Sequence, residues 1–232
     1  MSSILILGAT GNVGREVIKH LLNSGCSAVV FAGVRNPQRA IEGFPVHKQL
    51  KFRRFDFEDQ SSFGEALKGI DVLFLLRPPQ IADVDRYIKP LLNYAKNEGV
   101  KKIVFLSVQG VEQSKFIPHH KIEKLILAMS FKFVFLRPSY FMQNLTTTLL
   151  PEIQEKGSIT LPAGGAKFNW VDVEDIGAFA AKVLCNFDVF SSQTFELTGL
   201  QNLSFQEVSS LIQKKVGIKI NYRSVSPLRF FC

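Results

Sequence analysis

The sequence has few cysteines, no long hydrophobic run and no concentrated block of charge, and each absence argues against a class of protein. Its three cysteines, Cys26, Cys185 and Cys232, are far apart and form no CxxC pattern, which argues against a disulfide framework and a structural zinc site. No stretch approaches the roughly 18 consecutive apolar residues of a membrane span, and no basic segment precedes the first apolar run. We therefore expect a cytoplasmic protein that binds no membrane.

The net charge is positive but dispersed. The chain has 28 Lys and Arg against 20 Asp and Glu, a formal net charge of +8, and its basic pairs are far apart, at 53–54, 101–102 and 214–215. A nucleic-acid-binding protein usually concentrates its cations on one face or helix. We therefore expect no direct contact with nucleic acid, whereas a positive field suits a small anionic ligand such as a nucleotide.

Aliphatic runs alternate with segments of helical periodicity in the first part of the chain. The predicted strands are residues 4–7, 28–34, 51–55, 71–76, 102–107 and 132–137, and the predicted helices are residues 12–24, 60–68, 83–97 and 119–130. This alternation is typical of βαβ units. The sequence therefore predicts an α/β fold with a doubly wound parallel sheet, and its 46% of hydrophobic residues can fill a sizeable core.

After Pro138 the pattern becomes less regular. We predict a helix broken at Pro151, two short extended pieces within 158–171, a helix over 172–185, a strand over 193–199, a helix over 204–216 and an extended segment over 219–225. Residues 1–150 are predicted to form a nucleotide-binding domain to which the helix 172–185 returns. Residues 151–232 are predicted to form a small, shortened substrate lobe.

Three glycines separate the first strand from the first helix in the motif Gly8-Ala9-Thr10-Gly11-Asn12-Val13-Gly14. The first glycine of such a turn permits a sharp exit from the strand, the second lets backbone approach a pyrophosphate, and the third lets helix and sheet pack closely. The free N–H groups and the dipole at the helix start favour a negative charge. The motif therefore predicts a dinucleotide site that includes Gly8, Thr10, Gly11, Asn12, Val13 and Gly14.

The residues at the end of the second predicted strand favour NADP(H) over NAD(H). NAD enzymes place an acid there for the ribose hydroxyls, whereas a 2′-phosphate requires a cation. This chain has Val34-Arg35-Asn36 at that point, and a guanidinium can hold a phosphate with several donors. We therefore expect NADP(H) as the cofactor and regard NAD(H) as the weaker alternative.

Six segments together resemble the NmrA-like family of atypical short-chain dehydrogenases/reductases. They are "ILGATGNVGREV", "AGVRNP", "FDFEDQSSFGEALKGIDVLFLL", "IVFLSVQG", "FLRPSYFMQNL" and "WVDVEDIGAFAAKVL". The resemblance covers essentially the whole chain and implies an NAD(P)-binding Rossmann fold with a small C-terminal substrate lobe. It also implies that Asp56 and Phe57 flank the adenine, that Leu76 and Arg77 lie along the ribose and phosphates, and that Ser107 lies near the nicotinamide.

The usual proton donor of short-chain dehydrogenases is absent. Those enzymes use the tyrosine of a Tyr-x-x-x-Lys motif, and none of the four tyrosines here has a lysine four residues later. Aligned on Glu123, the motif places Lys115 at the tyrosine and His119 at the lysine, and Glu123 could then orient the imidazole of His119. An alternative alignment pairs His120 with Lys124, and both histidines could equally be ordinary polar residues at a helix start.

Hydride transfer does not require that motif, because proximity and orientation supply much of the rate and solvent can supply the proton. Tyr140, Phe141 and Asn144 follow the sixth strand and are candidates to line a substrate pocket at the carboxyl edge of the sheet.

Two hypotheses follow for the function. The first is an NADPH-preferring oxidoreductase, a quinone reductase in type, that reduces a quinone-like or other conjugated small molecule by direct hydride transfer. The second is a non-catalytic NADP-binding redox sensor of the NmrA type. The expected partners are a small-molecule substrate, a second copy of the chain in a homodimer, or a regulatory protein. Sugar-nucleotide epimerase or dehydratase chemistry is disfavoured because the tyrosine is absent.

Overall fold

The computed structural model describes residues 2–226. The chain forms two compact units. The first unit contains the chain up to Pro138 together with Val173–Leu197, and the second contains Ser139–Asp172 and the chain from Thr198 onward. The predicted boundary at residue 150 differs from this division. The chain leaves the sheet when the sixth strand ends at Pro138, and it later returns to add both a helix and a strand to the first unit.

The strands are β1 (Ser3–Ile6), β2 (Val29–Val34), β3 (Leu50–Arg54), β4 (Val72–Leu75), β5 (Lys102–Leu106), β6 (Lys132–Pro138), β7 (Ser158–Leu161), β8 (Lys167–Asn169), β9 (Gln193–Leu197), β10 (Asn202–Ser204) and β11 (Asn221–Ser224). The helices are α1 (Asn12–Asn23), α2 (Pro37–Ile41), α3 (Phe63–Leu67), α4 (Lys89–Asn97), α5 (Pro118–Ala128), α6 (Leu150–Lys156), α7 (Val173–Cys185), α8 (Phe187–Phe190) and α9 (Phe205–Val216). Short 3₁₀ turns occupy Gln60–Ser62, Val111–Gln113 and Met142–Leu145, and a π-helical turn at Val84–Ile88 precedes α4. Within residues 2–226, no helix is long and apolar enough to cross a membrane.

The first unit contains a seven-stranded sheet in the order β3-β2-β1-β4-β5-β6-β9. Its strands pair in parallel throughout, and its central strands are apolar because both faces of the sheet are covered. This architecture confirms the predicted α/β Rossmann fold. The strand order reverses between β1 and β4, and ligands of open α/β sheets bind outside the carboxyl ends of the strands at such a point.

Helices α1 and α7 pack closely because Gly177 has no side chain. A Cβ at Gly177 would lie 2.5 Å from the Cβ of Glu16 and 3.0 Å from the backbone nitrogen of Val17. At the edge of this contact, the Lys19 ammonium binds Glu16 at 2.9 Å and Glu174 at 3.0 Å. At Gly177 the backbone of α7 therefore lies directly against the backbone of α1. This contact and the ion pairs of Lys19 hold α1, the helix that follows the glycine turn, in place.

The second unit has its own core, built largely from aromatic rings. Trp170 and Phe205 are buried with their ring centroids 5.0 Å apart, and the Trp170 indole N–H donates to the Leu203 carbonyl at 2.8 Å. Strand β8 pairs antiparallel with β10, and β7 pairs in parallel with β11. A capping box at the start of α9 joins Ser204 to Glu207, whose pKa the hydrogen bonds from the Ser204 backbone and hydroxyl lower to about 2.

Candidate functional site

The glycine turn has the geometry that a phosphate site needs. Gly8 has a positive φ of 68°, and its carbonyl accepts a hydrogen bond from the Gly11 N–H at 3.0 Å. Gly11 is the N-cap of α1 in an extended conformation, and a Cβ at Gly14 would collide with the Gly8 carbonyl. Each glycine therefore occupies a position where a larger residue would strain or open the turn.

The N-terminus of α1 has no side-chain cap and no acidic residue in its first turn. The first N–H groups of a helix have no partner within the helix, and together with the helix dipole they favour an anion. The outside of the turn is fixed by Arg15, which donates to the Thr10 carbonyl at 3.1 Å and to the Gly43 carbonyl at 2.6 Å. The local structure therefore keeps the turn rigid and leaves the helix start available to a phosphate.

A cavity of about 340 Å³ opens beside this turn. Its lining comes from the segments that follow β1, β2, β3 and β4, so the cavity lies at the carboxyl ends of four neighbouring strands. The lining residues are Gly8, Thr10, Gly11, Gly33, Val34, Arg35, Phe55, Asp56, Phe57, Glu58, Leu76, Pro78, Pro79, Gln80 and Ile81. Its position matches the crevice where open α/β sheets bind nucleotides.

Seven of the residues predicted to bind the cofactor line this cavity, namely Gly8, Thr10, Gly11, Arg35, Asp56, Phe57 and Leu76. The predicted residues Asn12, Val13 and Gly14 form the first turn of α1, where Val13 and Gly14 are buried and Asn12 is exposed. The structure gives the positions of these residues around the glycine turn. Their contacts with a cofactor stay a prediction.

Arg35 and Asp56 lie on separate parts of the cavity wall. Arg35 follows β2 and is exposed, while the neighbouring Asn36 side chain accepts from the Arg39 N–H at 3.1 Å and caps α2. Asp56 follows β3, where its carboxylate accepts from the Glu58 N–H at 3.0 Å. The cavity thus has a cation after β2 and carboxylates after β3.

Arg77 supports the wall of the cavity. Its Nη1 donates to three carbonyls in the loop after β4: Pro78 at 2.8 Å, Pro79 at 2.9 Å and Ile81 at 2.9 Å. Burial lowers the pKa of this guanidinium from its usual value. Only Nη1 binds this loop, and within residues 2–226 the buried Nε has no hydrogen-bond partner. The expectation that Arg77 lies along the ribose and phosphates stays a prediction.

The proline-rich loop Pro78–Ile81 and Gly33 are parts of the lining that the sequence analysis missed. A Cβ at Gly33 would lie 2.8 Å from Leu7 Cδ2, so a larger residue there would require the Leu7 side chain to shift. The two adjacent prolines shortly after a buried strand were the available signal for the loop, since proline restricts the backbone and cannot continue a helix or a central strand.

Ser107 follows β5 and is buried, with 4% of its surface exposed. Within residues 2–226, its hydroxyl oxygen has no hydrogen-bond partner. Buried polar groups are nearly always paired, so an exception requires an explanation. The unpaired Ser107 hydroxyl is such an exception, and its position near a nicotinamide stays a prediction.

His119, predicted as catalytic, lies in the first turn of α5 with its ring stacked on Phe105 at a centroid distance of 6.0 Å. Burial, with a further contribution from the charge of Arg77, lowers the pKa of His119 to about 4. The imidazole is therefore neutral at neutral pH, and its two ring nitrogens can donate one hydrogen bond and accept another. Lys115, the other predicted catalytic residue, is exposed in the turn before α5.

Glu123 does not orient His119 as expected. Its Oε1 accepts from Arg137 Nε at 3.1 Å and its Oε2 from Arg137 Nη2 at 2.8 Å, so both oxygens bind one guanidinium. A carboxylate that is almost fully buried requires such a partner. His120, which the alternative alignment pairs with Lys124, contacts the Val111 carbonyl through Nδ1 at 3.2 Å.

The predicted substrate residues Tyr140, Phe141 and Asn144 lie in the second unit. The Tyr140 ring packs against Trp170 at 5.0 Å and Phe205 at 5.2 Å, and burial raises the pKa of its hydroxyl despite a hydrogen bond with Asn144. Phe141 forms a β-bridge with Val171. Tyr140 is thus part of an aromatic core, and a substrate role for the three residues remains a prediction.

Comparison with known proteins agrees with this architecture. A family model described as the NmrA-like family matches residues 1–231. Prestalk A differentiation protein A from Dictyostelium discoideum is 33% identical over 229 residues, which are 98% of this chain and 74% of the relative.

Two solved reductases share the fold. The NADPH-dependent quinone oxidoreductase from Escherichia coli, complexed with NADPH, matches with a TM-score of 0.82 and 25% identity over 98% of this chain and 80% of its own. The triphenylmethane reductase from Citrobacter sp., complexed with NADP(H), matches with a TM-score of 0.79 and 26% identity over 97% of this chain and 79% of its own. Together with the glycine turn and the seven-stranded parallel sheet, these matches show that the chain belongs to the NmrA-like family.

Proposed function

We propose that the cavity beside the glycine turn binds NADP(H) and that the protein is an oxidoreductase. The observation that carries this proposal is the uncapped N-terminus of α1, which opens beside the cavity at the carboxyl ends of the strands. The residues fit the group, because Gly11 and Gly14 leave space where a Cβ would meet the Gly8 carbonyl. The first turn of α1 would hold the pyrophosphate, and the apolar wall that includes Phe57 and Ile81 would hold the adenine.

Arg35 supports a preference for NADP(H) over NAD(H). It is an exposed cation on the cavity wall directly after β2, the position that faces the adenosine ribose in this fold. A guanidinium binds phosphate through charge-assisted hydrogen bonds. The next residue, Asn36, is engaged in capping α2 and supplies no carboxylate for the ribose hydroxyls.

The proposed reaction is direct hydride transfer to a quinone-like or other conjugated small molecule. Bound NADPH supplies the hydride, and the protein contributes binding and orientation. With its pKa of about 4, His119 is not a reservoir of protons at neutral pH, so we assign the proton to solvent. The names of the quinone and triphenylmethane reductases support an acceptor of this kind.

The experiment combines calorimetric titration of NADPH and NADH with assays of NADPH oxidation by quinones and triphenylmethane dyes. We expect tighter binding of NADPH and turnover of at least one acceptor. An inactive protein with preserved NADPH binding would contradict the reductase activity, and absence of binding would contradict the cofactor site. A preference for NADH would contradict the role of Arg35.

A second candidate function is a non-catalytic NADP-binding regulator that contacts a protein partner. The specific observation in its favour is the state of the two predicted proton-transfer residues, because His119 is neutral and Lys115 is exposed. The chain also has no Tyr-x-x-x-Lys motif. Tight NADP binding without turnover of any acceptor would favour this candidate.

A further inference from the structure

Two cysteines that are 159 positions apart meet in the first unit. Cys26 lies in the turn after α1, and Cys185 is the last residue of α7. Both are partly buried free thiols. The packing of α1 against α7 through Gly177 places their C-terminal ends together.

Ser24 connects the two cysteines. Its hydroxyl lies 3.6 Å from Cys185 Sγ and accepts from the Cys26 N–H at 3.4 Å, so one side chain contacts both cysteine residues. Both cysteines line an open cavity of about 550 Å³, which is separate from the cavity beside the glycine turn. The two cysteines are therefore neighbours on the wall of one open cavity.

We propose that Cys26 and Cys185 form a reversible redox pair whose thiols a peroxide oxidises to a disulfide, linking the turn after α1 to the end of α7. This modification site does not depend on the proposed oxidoreductase function. A dithiol with neighbouring sulfurs can resolve a sulfenic acid before further oxidation, which is the arrangement of a reversible thiol sensor.

The two thiols have different roles in the reaction. Burial, together with the neighbouring Cys26, raises the pKa of Cys185 to about 12, so Cys185 stays a thiol at neutral pH. Because the thiolate is the nucleophile, Cys26 attacks first. Its sulfur takes one oxygen from hydrogen peroxide, the O–O bond breaks, and the second oxygen leaves as water.

The Cys185 sulfur then attacks the sulfur of the Cys26 sulfenic acid and transfers its proton to the departing hydroxyl in the same step, so that no free Cys185 thiolate forms beforehand. The S–S bond forms, the S–O bond breaks, and the hydroxyl leaves as water with the proton of Cys185. In total, two thiols and one hydrogen peroxide give one disulfide and two water molecules. A dithiol reductant restores the pair by thiol–disulfide exchange.

The test uses the full chain with Cys232→Ser, which removes the third thiol. The native protein is treated with stoichiometric hydrogen peroxide, its remaining thiols are alkylated, and its peptides are mapped by mass spectrometry without reduction. We expect a disulfide-linked pair of peptides that contain Cys26 and Cys185, formed with retention of the native circular dichroism and reversed by dithiothreitol. Two alkylated thiols, or separate sulfinic acids without a link, would overturn the proposal.

Two matched variants test the assigned order. With Cys185→Ser, Cys26 should accumulate as a sulfenic acid that dimedone traps, and with Cys26→Ser, Cys185 should remain a thiol under the same treatment. Equal oxidation of Cys185 with and without Cys26 would contradict the assignment of Cys26 as the attacking thiol. The peptide map of the two-cysteine protein decides the proposal even if a single variant fails to fold.

Discussion

At the scale of single residues, three side chains predicted to bind the cofactor have different surroundings. Arg35 gives the cavity wall an exposed cation, Arg77 holds the loop after β4, and Ser107 has a buried hydroxyl without a hydrogen-bond partner within residues 2–226. The sequence predicted that all three belong to the site, but it could not distinguish a residue that faces the ligand from one that supports the wall. That distinction depends on where a long side chain finds acceptors, which only tertiary structure determines.

Replacing Arg35 tests the cofactor preference. Arg35→Asp removes the cation, repels a 2′-phosphate and provides an acceptor for ribose hydroxyls, so we expect NADPH affinity to fall roughly 10- to 100-fold and NADH affinity to rise. Calorimetric titration measures both. Arg39→Asp is a matched control, because Arg39 is exposed on α2 and does not line the cavity. An equal effect of the two substitutions would indicate a general electrostatic contribution.

His119 makes the stability of the protein depend on pH. Its pKa is about 4 in the folded protein against 6.5 ordinarily, so as the pH falls from 6.5 towards 4 the unfolded chain binds a proton that the folded chain does not. The free energy of unfolding therefore decreases in this window, by about 1–2 kcal/mol between about pH 7 and about pH 5. Urea titrations should show that His119→Gln removes this decrease, whereas the neighbouring His120→Gln retains it. An identical decrease in wild type and His119→Gln would refute the assignment.

At the scale of elements, the sequence predicted the sheet better than the segments that follow it. The six predicted strands all form, because continuous aliphatic runs are the pattern of a sheet buried on both faces. Helix α2 was missed because five residues contain too little periodicity. Pro151 was predicted to break a helix but lies in the first turn of α6, where proline costs no hydrogen bond.

Alanine substitutions at Gly14 in the glycine turn and at Gly64 in α3 should have different effects on stability. In Gly14→Ala the new methyl group would collide with the Gly8 carbonyl and lie 2.8 Å from Ala9 Cα, so we expect unfolding free energy to fall by about 1–3 kcal/mol and NADPH binding to weaken. Gly64→Ala is the control, since nothing lies within 4 Å of its Cβ in α3, and it should be neutral or stabilising by up to about 1 kcal/mol. Chemical denaturation measures both. Equal stability of the two variants would show that the turn tolerates a Cβ.

At the scale of the whole molecule, the sequence predicted the fold and several residues that line the cavity beside the glycine turn, but not the long-range contacts. The order of βαβ units fixes which strand ends are neighbours, so residues after β1 to β4 could be assigned to one cavity from the sequence. No comparable rule brings Cys26 to Cys185 or Arg137 to Glu123, because these contacts depend on how particular helices pack. Residues that bind a substrate were the hardest to predict, because an aromatic residue after a strand can belong to a core instead, and the Tyr140 ring packs against Trp170.

The central claim is that this chain binds NADPH beside the glycine turn and transfers its hydride directly to a conjugated acceptor. The most direct measurement uses NADPH that carries deuterium on the transferred position of its nicotinamide and a triphenylmethane dye as acceptor, with the reduced dye examined by mass spectrometry. Hydride transfer to the central carbon predicts that the product retains the deuterium, and that Arg35→Asp slows its formation with NADPH. Tight NADPH binding without reduction of this dye or of any quinone, or a reduced dye whose central carbon carries only solvent hydrogen, would contradict this proposal.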